Sequence, residues 1–93
     1  MESAYCVLAF QNTHAALSAQ KALAEAGLSP LMIPTLREIT ASCGISLRFQ
    51  PEELTAVLAI LGETSLDRAL YRLYAVSSGP GIRSVRPLDE SEF

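Results

Sequence analysis

Apolar residues recur along this chain with two periods, and the switches between them lay out its elements. Residues 4–10 are apolar throughout, a run of strand length without polar alternation, which predicts a central strand covered on both faces. Asn12 and Thr13 follow as good helix N-caps. Ala16, Ala19, Leu23 and Ala26 then recur at helical spacing, and Gly27 stands where a glycine commonly closes a helix. Residues 31–34 predict a second strand, which Pro34 consigns to a sheet edge because proline cannot donate to a ladder. Ile45, Leu47 and Phe49 alternate with Ser46 and Arg48, giving a third strand with one apolar and one polar face. Pro51, Glu52 and Glu53 suit the first turn of a second helix, with Leu54, Val57, Leu58 and Leu61 as its buried stripe and Gly62 as its end. Residues 69–76 read as a fourth strand, halted by Ser77-Ser78-Gly79-Pro80-Gly81. Residues 82–93 are expected to form a loosely held acidic tail, in which Ile82 and Val85 could add a short edge strand.

The order strand–helix–strand–strand–helix–strand is the split-βαβ, ferredoxin-like pattern of the α+β class. Right-handed crossovers predict a four-stranded antiparallel sheet in the order 4-1-3-2, with both helices on one face. Residues 1–81 would form this single domain. The topology brings the turn after the first strand and the loop between strands two and three to the same end of the sheet. Cys43, in that loop, should therefore open near the first helix's N-terminus, at Asn12-Thr13-His14. Tyr71 and Tyr74 should fall on opposite faces. The face without helices is expected to leave Leu70, Tyr74 and Val76 beside Tyr5, Val7 or Ala9 as an apolar patch, a surface suited to homodimerisation.

Ninety-three residues suffice for one two-layer core. Residues 1–86 carry seven basic and seven acidic side chains, so the net charge of −3 resides in Asp89, Glu90 and Glu92. A neutral body offers no electrostatic footprint for nucleic acid or an anionic membrane, and no apolar run approaches the roughly 20 residues that cross a bilayer. Cys6 and Cys43 form no CxxC and no Cys/His cluster, which leaves zinc, iron–sulfur and other cofactors without a motif. A strand that begins almost at once leaves no room for a leader peptide, so a reducing, cytoplasmic setting with free thiols is expected.

Two cysteines read differently. Cys6 lies mid-strand in an apolar run and belongs to the core, half a strand from the loop and too far for a disulfide to Cys43. Cys43 sits in Ser42-Cys43-Gly44, on a loop that also carries Arg37 and Glu38. Its thiol is expected to be accessible, with Gly44 allowing a tight turn beside the sulfur. A helix N-terminus presents unpaired N–H groups and about half a positive charge, surroundings that favour a reactive thiol. Thr13, His14 and Arg37 are the candidates to stand near it, while Arg37 and Glu38 could equally form a simple surface ion pair. Arg48 points away from the helices as a solvated or interface arginine.

The segment Ile33-Pro34-Thr35-Leu36-Arg37-Glu38-Ile39-Thr40-Ala41-Ser42-Cys43-Gly44-Ile45-Ser46-Leu47-Arg48-Phe49 resembles a small bacterial family described as selenium/sulfur carrier proteins. That family reads approximately I-P-x-P-R-E-I-x-S-S-C-G-x-x-L-R-F, after a strand ending in Phe and a helix, as Phe10 and residues 13–26 do here. Leu36 replaces the family's proline, which should loosen the approach to the loop, and Ala41 replaces a serine; neither touches the thiol. The resemblance implies a carrier that takes sulfur or selenium onto Cys43 from a donor such as a cysteine desulfurase and passes it to an acceptor enzyme. The competing reading is a non-enzymatic ferredoxin-like binding or regulatory module that dimerises through its open sheet face. Peroxide reduction lacks a resolving cysteine, and a hydrolase lacks a triad, there being one histidine.

Overall fold

The apolar run at the start forms the strand to which everything else is pinned. In a computed structural model, which describes residues 3–88, β1 (Ser3–Phe10) is hydrogen-bonded on both sides, to β3 (Ile45–Phe49) and β4 (Tyr71–Gly79), antiparallel to each. Burial on both faces is what its composition demands: Val7, Leu8 and Phe10 are wholly enclosed. β2 (Leu31–Pro34) pairs with β3 and occupies one edge, where the missing N–H of Pro34 costs nothing.

The sheet has five strands in the order β2-β3-β1-β4-β5, not four in the order 4-1-3-2. β5 (Ile82–Pro87) takes half of the segment expected to be a loose tail, as the edge strand that Ile82 and Val85 allowed. It pairs with β4 from Gly79↔Ile82 to Tyr74↔Pro87. Pro80 and Gly81 form the two-residue connection, and Gly81 adopts φ 73°, the pairing of proline with a positive-φ glycine that a type II turn requires. What had looked like a stop signal is thus a hairpin turn. The acidic residues Asp89, Glu90 and Glu92 lie outside the described residues.

α1 (Thr13–Glu25) is capped by Asn12, whose Oδ1 accepts from the Ala15 N–H at 2.7 Å. It closes with Gly27 at φ 88°, the Leu28 N–H reaching the Leu23 carbonyl and the Gly27 N–H that of Ala24, a Schellman ending. The second helix differs from expectation at both ends. Pro51–Glu53 is a 3-10 turn, α2 proper is Leu54–Glu63, and Gly62 lies inside it. Thr64 ends the helix: its hydroxyl and its N–H both donate to the Leu61 carbonyl. β4 begins two residues later than predicted because Arg68–Leu70 coil into a 3-10 turn capped by Asp67.

The sheet separates two apolar clusters. On the helix side Cys6, Leu8, Phe10, Leu47, Phe49, Tyr71 and Leu73 meet Ala16, Ala19 and Leu23 of α1 and Val57 and Leu61 of α2, with Leu70 packed alongside. On the other side Tyr5, Val7, Ala9 and Val76 are buried although no helix lies there. Ile39, from the 35–44 loop between β2 and β3, is buried among them, with Leu36 and Ala41 packed against the cluster. The open apolar face expected to support dimerisation is therefore already covered, by the chain's own loop.

Candidate functional site

Residues 35–44 leave β2, cross the helix-free face and return to β3. The neck of this loop is closed at one residue. Thr35 donates its N–H to the Gly44 carbonyl (3.0 Å) and its hydroxyl to the Cys43 carbonyl (3.0 Å). Ser46 Oγ lies 2.8 Å from Thr35 Oγ1. A hydroxyl has one hydrogen, and Thr35 spends its own on Cys43, so Ser46 is the donor in that pair. Ser46 is fully enclosed, and this bond satisfies it. Thr35 and Ser46 escaped sequence reasoning because Ser46 sits on the polar side of β3, the face expected to lie without a covering layer. The available signal was a serine between Ile45 and Leu47 on a strand with neighbours on both sides.

Cys43 is positioned by this neck and by β1, whose last carbonyl, Phe10, accepts the Cys43 N–H at 3.2 Å. Its side chain enters the helix-side cluster. Only 4 % of Cys43 is exposed, which corrects the expectation of an accessible thiol: the residue returns beneath the start of α1 instead of projecting from the loop. The Ile45 N–H donates to Sγ at 3.3 Å, and Thr13 Oγ1 stands 3.7 Å from it. The predicted meeting of Cys43 with the α1 N-terminus is thus present, through Thr13. Nearby, the Ser42 hydroxyl donates to Gln11 Oε1 at 3.3 Å.

The other candidates are elsewhere. His14 lines a pocket shared with Ser18, Thr64–Asp67 and Leu70. Arg37 and Glu38 lie on the helix-free side, lining an open cleft of about 600 Å³ with Tyr5, Gly81 and Arg83. Neither forms the surface pair foreseen with the other. Glu38 is gripped by Arg83 of β5, each carboxylate oxygen accepting one guanidinium N–H at 2.6 Å, a bidentate fit that fixes direction as well as distance. The hydrogen bonds from Arg83 hold the Glu38 carboxyl below its usual range, with the charge of Arg37 adding a smaller pull. Arg48 stacks over the Tyr5 ring, 3.9 Å from its centroid, so it roofs the buried tyrosine instead of standing free in solvent. Leu36, expected to loosen the loop, packs onto the second cluster. Gly44 needs no special backbone: its φ is not positive, and a Cβ there would meet nothing within 4 Å.

Cys6 behaves as core. Both cysteines are free, and burial, with a smaller contribution from the charge of Glu52, pushes the Cys6 thiol up from its usual range. Among the described residues no group of three or more His, Cys, Asp or Glu side chains could hold a metal ion, and no helix is long and apolar enough to cross a membrane.

Compared with known families, the chain matches one model over residues 5–72, the family described as "Putative Se/S carrier protein-like". The chain belongs to this family. The match begins in β1 and ends just inside β4, so it takes in Cys43, its neck and the whole covering loop, whereas β5 and its Arg83 lie beyond it. No curated protein and no solved structure matches the chain.

Proposed function

We propose that this protein carries sulfane sulfur or selenium on Cys43, receiving it from a donor protein such as a cysteine desulfurase and passing it to an acceptor enzyme. The observation that carries this reading is the setting of the sulfur: a backbone N–H from Ile45 and the hydroxyl of Thr13 face one otherwise apolar-enclosed Sγ beside a helix start. An N–H donor aimed at sulfur, with a hydroxyl able to donate to it, suits an atom that carries negative charge in part of its cycle. Enclosure suits a cargo that other thiols would strip off.

Loading needs no oxidant. The Cys43 thiolate attacks the terminal sulfur of a donor persulfide, R–S–SH. A Cys43 S–S bond forms as the donor's S–S bond breaks, and the donor thiolate leaves with the electron pair. Selenium transfers in the same way from R–S–SeH. Unloading is the same exchange onto an acceptor thiol. A reducing, cytoplasmic setting belongs to this reading, since an unpaired thiol persists there.

Intact-mass measurement after incubation with a cysteine desulfurase and free cysteine tests the reading, with Cys43→Ser in parallel. One added sulfur, removed by reductant and absent from the variant, is the expected result. Loading that persists in Cys43→Ser, or none on the native chain, rejects it.

A further inference from the structure

We propose that residues 35–44 are a latched strap whose local opening governs access to Cys43, with Glu38–Arg83 as the latch and Ile39 as the plug. This rests on the carrier reading of Cys43. The motive is a conflict: a cysteine whose sulfur must meet a partner's sulfur is 4 % exposed.

Three kinds of hold keep the loop down, and they differ in strength and place. Near its start, Thr35 ties the neck. In its middle, Ile39 is buried among Tyr5, Val7, Ala9 and Val76. Between these, Glu38 reaches across to the edge strand and binds Arg83. Beyond Ala41, Ser42 makes one exposed hydrogen bond to Gln11, and Cys43 is tied by its N–H to the Phe10 carbonyl of β1. The loop contributes one buried side chain to each cluster, Ile39 to one and Cys43 to the other. Lifting the middle of the strap pulls on the short stretch 40–42 that links them. The latch is the exposed and therefore the most readily broken part, and Arg83 comes from the edge strand β5, which pairs with β4 and not with β1. Sub-global opening of such a segment, independent of the core, is common where contacts are few and exposed.

The test is the rate at which a small alkylating reagent modifies Cys43, read by peptide mass spectrometry so that Cys6 is scored separately. Arg83→Ala and Glu38→Gln should each speed modification about two- to fivefold, the range an exposed ion pair commands. Ile39→Ala should speed it at least tenfold. Exchanging the charges, Glu38→Arg with Arg83→Glu, should return the rate toward native. All these rates should respond only weakly to low urea, because local opening exposes little surface. Unchanged rates in all three single variants overturn the strap, and so do rates that rise only with the full urea dependence of global unfolding. No sulfur donor enters this assay, so its outcome is independent of loading. Strap variants that alkylate faster on a chain that never takes up sulfur would leave the strap standing and the carrier reading rejected.

Discussion

Replacing Thr35 with valine should cost more than removing its partner, and the hydrogen-bond arrangement says by how much. Valine keeps the branched shape and the backbone N–H that binds the Gly44 carbonyl, so the change isolates one hydroxyl. That hydroxyl serves two groups: it donates to the Cys43 carbonyl and accepts from Ser46. Its loss strands both, at about 1–3 kcal/mol for each desolvated group left without a partner. Ser46→Ala removes one hydrogen bond but leaves Thr35 still bound to Cys43, a loss of about 1 kcal/mol. The double variant strands only the carbonyl and should cost no more than Thr35→Val alone, a coupling that independent sites do not show. For a domain of this size about 1 kcal/mol moves Tm by roughly 4–8 °C, so the two single variants should differ clearly. Urea denaturation with unchanged m values gives the comparison. A Ser46→Ala cost equal to or above that of Thr35→Val, or additive costs in the double, would refute the assignment of donors and the idea of a shared neck.

The latch should weaken in acid. The Glu38 carboxyl is held below its usual range in the folded protein, so its contribution is complete above the unfolded value of about 4.3 and is lost as pH falls through the lower folded value. Alkylation of Cys43, corrected for thiolate content, should therefore be faster below about pH 4.3 than at neutrality, and Glu38→Gln should remove that dependence. Gly44→Ala should be tolerated or stabilise by about 0.4–1 kcal/mol, since a Cβ there meets open space and φ is not positive. Gly27→Ala, at φ 88°, should cost about 1–2 kcal/mol, as thermal denaturation would show.

The elements that announce themselves in the sequence are those whose burial has one cause. β1 is apolar because both of its faces are covered, and α1 carries its cap, stripe and closing glycine in order. β3 alternates as a strand should, and the topology placed Cys43 beside Thr13. The failures share a different cause, which is covering by segments without periodicity. A lone Ile39 in a polar loop gives no repeat from which to infer that it plugs a sheet face. With that face taken as open, Arg48 read as a solvated or interface arginine, and the pair in view for Glu38 was its neighbour Arg37 and not Arg83, 45 residues on. β5 was only half legible: Ile82 and Val85 allowed an edge strand, but Arg83, Ser84 and Arg86 interrupt its apolar residues, and only Val85 is half-buried. The Pro80-Gly81 pair was the available sign of a hairpin.

Burial of Cys43 and the reactivity proposed for it are reconciled if opening precedes transfer, and that ordering has a quantitative consequence. A partner that meets only the open state acts on the fraction of molecules that are open, so its apparent affinity or rate is scaled by that fraction. A reagent that alkylates only the open state is scaled by the same factor. Breaking the latch with Arg83→Ala changes the fraction without touching Cys43, Thr13 or the neck. The rate of sulfur loading from a desulfurase, at limiting donor, should then rise by the same factor as the rate of alkylation. Arg83 pairs with Glu38 on the helix-free side, whereas the Cys43 side chain lies in the helix-side cluster, so its effect on loading would come from the fraction open and not from the transfer chemistry. Loading that stays constant while alkylation rises would mean that the donor lifts the strap itself, placing opening after binding instead of before it.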